Sequence, residues 1–116
     1  MTSFTQPAYW ILASLAGGRR HGYEIMRETS AASNEQVTIK ATTLYAALER
    51  LERDGLVVSD GDEVVNGRAR RYFRITEQGS ARLAAEVDLI ERSARATRSR
   101  LAAGQAASVS PRVAVV

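Results

Sequence analysis

Cysteine is absent from the 116 residues, and histidine occurs only once, as His21. Without cysteine the chain can form no disulfide, no thiolate zinc site and no thiol nucleophile, and one histidine cannot supply a metal site by itself. These absences exclude most metal and thiol chemistry, so we expect no metal site and no cofactor. A chain without cysteine also fits a reducing compartment, which favours a cytoplasmic location.

Long hydrophobic runs are missing as well. The longest apolar stretch, residues 8–16, is about half of the ~20 residues that a membrane-spanning helix needs. No basic segment precedes an apolar run in the manner of a signal peptide. A hydrophobic content of 45% with a net charge of +3 is typical of a globular protein. At this length we expect one soluble domain without a membrane segment.

Lysine is nearly absent, because the positive charge comes from fifteen arginines and a single lysine, Lys40. The forked guanidinium group of arginine suits phosphate groups and the edges of guanine bases. Coding bias in a GC-rich genome would produce the same composition. The arginine content therefore leaves nucleic-acid binding and coding bias open as explanations.

Three helices are predicted in the first half of the chain from the spacing of apolar residues. The first covers residues 8–16 after Pro7, which suits the first helical position, and the second covers residues 21–32. The third covers residues 41–56, where Gly55 supplies the end signal, and it has one buried stripe and one exposed side. The inward residues predicted for the second helix are Tyr23, Ile25, Met26 and Thr29, and those for the third are Leu44, Ala47, Leu48 and Leu51.

Two strands are predicted after the third helix. Residues 56–58 are apolar and mostly β-branched, and residues 70–75 alternate basic with apolar side chains over most of their length. The turn-forming residues 60–62 and 66–67 lie between these segments. We therefore predict a β-hairpin with a mobile tip of roughly ten residues.

A long last helix is predicted over residues 77–103, with Thr76 as its N-cap. Its apolar residues recur at alternating spacings of four and three, which is a heptad seam. A helix of ~27 residues is about 40 Å long, more than a domain of this size covers, so we expect a second copy of the chain to cover part of the seam. Residues 104–116 lack a sustained period and are predicted to form a disordered tail. The seam residues are Leu83, Val87, Ile90, Ala94, Thr97 and Leu101.

No catalytic constellation emerges from the residues. The glycines near Tyr23 and Glu24 do not form a phosphate loop, because these two residues stand where a lysine and a serine or threonine are needed. Residues 60–63 resemble the start of a calcium loop, but the twelfth position is Arg71 instead of a glutamate. His21 has no nearby nucleophile and is expected to start a helix or to face a phosphate. We therefore expect a protein that is not an enzyme.

The segment 66–74 (NGRARRYFR) carries four arginines and two aromatic residues without an acid. On a strand, alternate residues of this segment share one face, and a basic face can follow a phosphate backbone or enter a minor groove. From the hairpin alone, the alternative is a solvated edge strand that its charges keep soluble. The residues that share this face are Arg68, Arg70, Tyr72 and Arg74.

The order of three helices, a basic hairpin and a long helix is that of a winged helix-turn-helix domain followed by a dimerisation helix. The fold class is therefore mainly α with a small β-hairpin (α+β), with the winged domain at residues 1–76 and the dimerisation helix at residues 77–103. In this fold the third helix enters the major groove with its N-terminal residues near base edges. The residues predicted to bind DNA are Lys40, Thr42, Thr43, Tyr45, Ala46 and Arg50 of the third helix, Arg68, Arg70 and Arg71 of the hairpin, and Tyr23.

Four stretches resemble the PadR-type transcriptional regulators, specifically their short branch with a single C-terminal dimerisation helix. They are HGYEI from His21, the segment from TLY at Thr43 to DGL at residues 54–56, GRARRYF from Gly67, and Gly79 near the start of the last helix. This resemblance implies a homodimeric repressor. It also implies that the recognition helix includes Thr43 and Tyr45 and that the wing contacts come from the segment between Gly67 and Arg71.

The resemblance further implies that the last helix contacts the first helix of the partner subunit, which gives Tyr9, Trp10 and Leu15 a role at the dimer interface or in a ligand pocket. Members of the branch that bind flat aromatic drugs place a tryptophan on the long helix, whereas the only tryptophan here is Trp10 on the first. The residues before Thr43 also lack the proline or glycine common in relatives, so the base preference is not carried over. The pocket residues expected for an unknown small-molecule effector are Trp10, Ala94 and Thr97.

We therefore expect a dimeric winged-helix repressor that binds a near-palindromic operator in double-stranded DNA and that a small molecule releases. The alternative is a protein-interaction adaptor with the same fold but without sequence-specific DNA binding. In that case the long amphipathic helix would bind a different protein.

Overall fold

The structure, a computed structural model, describes residues 4–109. The chain divides into two compact units, Met1–Ala84 and Ala85–Val116. The first unit holds the winged-helix elements and the start of the last helix, and the second holds the remainder of that helix. The elements are α1 (Gln6–Ala16), β1 (Arg20–His21), α2 (Gly22–Ala32), α3 (Ala41–Arg53), β2 (Val57–Val65), β3 (Arg68–Ile75) and α4 (Glu77–Val109).

The core of the first unit is formed by apolar side chains from every helix and from the sheet. The stripe predicted for the third helix is confirmed, because its three leucines are buried and Ala47 is half-buried. Full burial of one large aliphatic side chain contributes about 1.5–3 kcal/mol, so this set supplies the main stabilisation of the domain. The buried core residues are Ile11, Leu12, Leu15, Ile25, Ile39, Leu44, Leu48, Leu51, Leu56, Val57, Phe73 and Leu83.

His21 is the N-cap of α2, which confirms the expected helix-start role. The backbone N–H of Glu24 donates to Nδ1 of His21 (3.3 Å), and the backbone N–H of His21 donates to Oε1 of Glu24 (3.1 Å). The buried line of α2 runs through Ile25 and Thr29. Tyr23 lies on another side of the helix and is 49% exposed, so the prediction that it faces inward is wrong.

The hairpin is longer and tighter than predicted. Strand β2 extends through residues 60–62, and only Asn66 and Gly67 form the turn, with φ values of 52° and 77°. Positive φ at both central residues is typical of the two-residue turn that matches the twist of a hairpin. The register shifts between Ser59 and Asp62, which places an irregularity where a loop was expected. The predicted mobile tip of roughly ten residues is therefore wrong.

A third strand, β1, completes an antiparallel sheet with the order β1-β3-β2. It contains only Arg20 and His21, which pair with Phe73 and Tyr72 respectively. Two residues are too few to show an alternating pattern, so this strand was not predicted from the sequence. Its pairing brings the start of α2 beside β3, and that proximity shapes the candidate site.

Helix α4 begins where predicted and ends later. The backbone N–H of Gly79 donates to Oγ1 of Thr76 (2.9 Å), as expected for an N-cap. The helix continues through Gly104 to Val109, so the prediction of a disordered tail from residue 104 is wrong for residues 104–109. One exposed glycine costs a helix only about 1 kcal/mol relative to alanine, which does not end it. The rest of the predicted tail, residues 110–116, lies outside the described residues.

Candidate nucleic-acid interface

The N-terminal half of α3 presents an exposed surface without acidic side chains. Leu44, Leu48 and Leu51 hold the opposite side of the helix in the core. Lys40 occupies the N-cap position but makes no side-chain hydrogen bond there, and the first turn contains no acid. The positive end of the helix dipole is therefore not neutralised by a carboxylate. All six residues predicted for this face are exposed: Lys40, Thr42, Thr43, Tyr45, Ala46 and Arg50.

The phenol of Tyr45 lies across the start of α2. A Cβ atom at Gly22 would overlap the Tyr45 hydroxyl and would lie 2.9 Å from Cζ of its ring and 3.2 Å from Cδ2 of Leu44. The observed position of the Tyr45 ring therefore depends on glycine at this residue. Although half of the Tyr45 side chain is exposed, its position is set by this contact.

The four arginines of β3 have different surroundings. Arg68 pairs across the hairpin with Val65, next to the turn, and is exposed. Arg71 donates to Oγ of Ser59 (2.8 Å), which donates in turn to Oε2 of Glu52 on α3 (2.8 Å). Arg71 thus ties the sheet to α3, whereas Arg68 makes no ion pair within residues 4–109.

Strand β2 carries the acids that oppose these arginines. Glu63 is the register partner of Arg70, and Asp62 is the register partner of Arg71. Asp60 lies on the same strand, with its Oδ2 atom 3.9 Å from Nε of Arg74. The segment 66–74 is free of acids in sequence, but Asp62 and Glu63 stand opposite two of its arginines across the hairpin.

Arg19, which was not predicted as a site residue, forms ion pairs with two of these acids. Its Nε atom lies 3.4 Å from Oδ2 of Asp60, and its Nη1 atom lies 3.4 Å from Oε2 of Glu63. Its guanidinium also covers the ring of Tyr72, 3.8 Å from the centroid. Burial, with the Glu63 carboxylate nearby, raises the pKa of Tyr72, so its hydroxyl stays protonated. Only the tertiary structure shows this cluster, because Arg19 is more than forty residues away in sequence from Asp60, Glu63 and Tyr72.

Tyr23 lies on the surface beside β3. The Cζ atoms of Arg27 and Arg70 lie 5.7 Å and 5.5 Å from its ring centroid, within the range of cation–π attraction. The imidazole of His21 lies nearly parallel to the same ring, at 6.5 Å. The short pairing of β1 with β3 brings these residues of α2 and the wing together.

The residues predicted for dimerisation differ in how far they are buried. Leu83 is buried in the core of its own unit, so its burial needs no partner. Tyr9 and Trp10 are half-buried and pack edge to face, with ring centroids 5.4 Å apart. Of the residues predicted for an effector pocket, Trp10 belongs to the first unit, and Ala94 and Thr97 belong to the second. On α4, Val87 is half-buried, whereas Ile90, Ala94, Thr97 and Leu101 are exposed.

Within residues 4–109 there is no group of three or more metal-ligating side chains. None of the helices in that part of the chain is long and apolar enough to cross a membrane. The candidate site is formed by the exposed residues of α3, Tyr23 and the arginines of β3.

The helices, the three-stranded sheet and the exposed third helix define a winged-helix DNA-binding domain. The transcriptional regulator PadR-like family matches residues 11–85, which is more than half of the sequence. The chain belongs to the PadR-like family of transcriptional regulators. PadR-family transcription regulators are non-enzymatic DNA-binding proteins.

Two curated relatives are similar in sequence. Transcriptional regulator Rv3488 of Mycobacterium tuberculosis is 40% identical over 85 residues, which cover 73% of this chain and 76% of that protein. An uncharacterised protein of Lysinibacillus sphaericus is 42% identical over 64 residues, which cover 55% of this chain. The chain spans only 59% of that second relative's length.

Two solved structures show the same fold. A transcriptional regulator from Clostridium thermocellum is 30% identical with a TM-score of 0.67, and the match covers 79% of this chain and 89% of that one. Bacillus subtilis PadR in complex with operator DNA has a TM-score of 0.62 and covers 69% of this chain and 46% of its own. At 20% identity, the second similarity shows the fold alone.

Proposed function

We propose that this regulator represses transcription by binding a near-palindromic operator in double-stranded DNA as a homodimer. The exposed, acid-free N-terminal half of α3 carries this proposal. Thr42, Thr43 and Tyr45 supply hydroxyl groups for base edges in the major groove, and Ala46 permits close approach. Lys40 and Arg50 add positive charge for phosphates on either side.

The wing is proposed to contribute affinity that does not depend on sequence. Arg68 and Arg70 would meet the phosphate backbone and release counterions, which makes binding weaker as salt rises. Arg71 would act mainly through its link to α3, because its guanidinium is already bonded to Ser59. That Bacillus subtilis PadR was solved with operator DNA supports DNA as the partner of this fold.

The homodimer is proposed to form through α4. Ile90 and Leu101 of the predicted seam are 44% and 64% exposed, which leaves apolar surface uncovered on this helix. In a two-fold dimer the two recognition helices would lie about 34 Å apart, one turn of B-DNA. A small-molecule effector bound near Trp10 would change this spacing and release the operator. Because its partner is DNA, we place this regulator in the cytoplasm.

Equilibrium DNA binding at physiological salt tests the proposal. A labelled fragment from upstream of the gene is expected to bind at least ~1,000-fold more tightly than random duplex DNA. Tyr45→Ala should reduce this preference, whereas Arg70→Ala should weaken binding to both duplexes alike. Equal affinity of the wild-type protein for both fragments would contradict the repressor and favour a protein-interaction adaptor.

A further inference from the structure

An exposed aromatic ring flanked by two arginines lies outside the face of α3. Tyr23 is 49% exposed, and the guanidinium groups of Arg27 on α2 and Arg70 on β3 lie 5.7 Å and 5.5 Å from its ring centroid. We call these three residues the Tyr23 cluster. The Tyr23 cluster thus concentrates two positive charges beside one exposed ring, and an anion bound there would be attracted to both.

The carboxylates near the Tyr23 cluster on α2 are engaged elsewhere. Glu24 accepts from the backbone N–H of His21 (3.1 Å), in the capping box of α2. Glu28 lies 3.9 Å from Nη2 of Arg20. Among the residues that the structure describes, Arg27 therefore has no carboxylate partner.

Arg70 lacks a carboxylate although one stands directly opposite it. Glu63 is its register partner across the hairpin, at a position where opposite charges usually pair. The Glu63 carboxylate instead lies 3.4 Å from Nη1 of Arg19 and beside the Tyr72 hydroxyl. Nε of Arg70 is buried without a hydrogen-bond partner in residues 4–109, so no acceptor there binds this nitrogen.

We propose that the Tyr23 cluster binds a backbone phosphodiester of DNA and that Arg19 keeps it available as a positioning residue. The two guanidinium groups would donate to the phosphate oxygens, and the phenol ring would hold both side chains in place. Arg19 would act indirectly, by occupying the Glu63 carboxylate that would otherwise pair with Arg70. The inference rests on the proposed DNA binding and adds a contact that is independent of base sequence.

A salt titration of DNA binding with Arg27→Gln tests the cluster. This variant should bind operator and random duplexes roughly three- to tenfold more weakly, by the same factor for both. The slope of log affinity against log salt should fall in magnitude by about one. Arg92→Gln removes the same charge from an exposed position of α4 outside the predicted seam, and its slope should match the wild type.

The outcomes separate this proposal from the proposed function. If the wild-type protein binds DNA and Arg27→Gln keeps both its affinity and its slope, the Tyr23 cluster is not a phosphate site and the repressor proposal stands. If the wild type binds neither duplex, the proposed function itself is contradicted, and the cluster with it.

A double-mutant cycle tests the role of Arg19. Arg19→Gln should weaken DNA binding about as much as Arg70→Gln, because the released Glu63 carboxylate can then pair with Arg70. Glu63→Gln should restore DNA binding in the Arg19→Gln protein. The increase in affinity that it causes should be larger in that protein than in the wild type. If Glu63→Gln raised the DNA affinity equally in the wild type and in the Arg19→Gln protein, Arg19 would not position Arg70. The same conclusion would follow if it did not raise the affinity of the Arg19→Gln protein. Thermal unfolding of each variant verifies that the protein is folded.

Discussion

At the scale of single residues, Gly22 packs against Tyr45 with no room for a Cβ atom. A methyl group at Gly22 would overlap the phenol hydroxyl, which is the movable end of a half-exposed side chain. Gly22→Ala should therefore move the ring rather than unfold the domain. We expect operator affinity to fall to that of Tyr45→Ala, a loss of about 1–3 kcal/mol, as measured by fluorescence anisotropy.

The double variant supplies the control for this prediction. Because the added methyl group acts through the ring, Gly22→Ala should have no further effect on binding once Tyr45 is alanine. Losses that add in the double variant would mean that Gly22 contributes to DNA binding by another route, such as a direct approach of the backbone to DNA.

Arg68 is expected to contribute to DNA binding, and Arg71 is expected to contribute to the stability of the fold. Arg68 is exposed beside the turn and opposite Val65, so Arg68→Ala should weaken DNA binding and change the unfolding free energy by less than about 0.5 kcal/mol. Arg71 donates to Ser59 in the link to α3, so Arg71→Ala should cost about 1 kcal/mol of stability. Urea unfolding and DNA binding of both variants measure the two effects. Equal stability losses would contradict the distinction.

Sequence reasoning could identify the arginines of the wing but could not rank them. Arg70 and Arg71 look alike in the run of residues 66–74, yet one lies beside Tyr23 and the other is bonded to Ser59. The difference arises from the cross-strand register and from Arg19, which is distant in sequence. No local pattern carries that information, so the ranking required the tertiary structure.

At the scale of elements, periodicity predicted the helices better than the hairpin. The leucine stripe of α3 recurs with the helical period, and the structure buries it as expected. Residues 60–62 are turn formers by type, but Asp60 is held by Arg19 and Asp62 pairs in register with Arg71, so the strand continues through them. Tertiary ion pairs and register outweighed local preference there, and only Asn66 and Gly67 turn the chain.

The junction between α4 and the winged domain depends on Gly79. A Cβ atom at this residue would overlap the carbonyl oxygen of Leu56 and lie 2.9 Å from Cγ1 of Ile75. Because the nearest group is backbone, it cannot turn aside as a side chain can. Gly79→Ala should therefore cost about 2–3 kcal/mol of stability, and the melting temperature followed by circular dichroism should fall by roughly 10 °C or more.

Gly104 provides the matched control on the same helix. A Cβ atom there would have no neighbour within 4 Å among the described residues. Gly104→Ala should raise the helical content and leave the melting temperature unchanged or slightly higher, because alanine favours a helix interior by about 1 kcal/mol over glycine. If both variants lowered the melting temperature equally, the backbone contact of Gly79 would not explain its effect.

At the scale of the whole molecule, one chain buries the start of its last helix but leaves most of that helix exposed. Leu83 is buried with the core, whereas residues 88–107 are exposed throughout. The heptad spacing could be predicted from sequence because it depends only on the period. The sequence could not predict the point at which the seam leaves the chain's own core and becomes exposed. That point depends on what packs against each turn of the helix. The exposed part of the seam is what the proposed dimer would have to cover.

Ile90 tests that dimer most directly, because it is an exposed large aliphatic residue in the predicted seam. A buried carboxylate without a partner is unfavourable, so Ile90→Glu should produce monomers in sedimentation velocity at concentrations where the wild type is dimeric. Arg92→Glu introduces the same side chain on the same helix outside the predicted seam and should remain a dimer. Monomeric Ile90→Glu should also lose operator affinity, because one recognition helix cannot hold both half-sites. A dimer that survives Ile90→Glu would assign the interface to another surface of the chain.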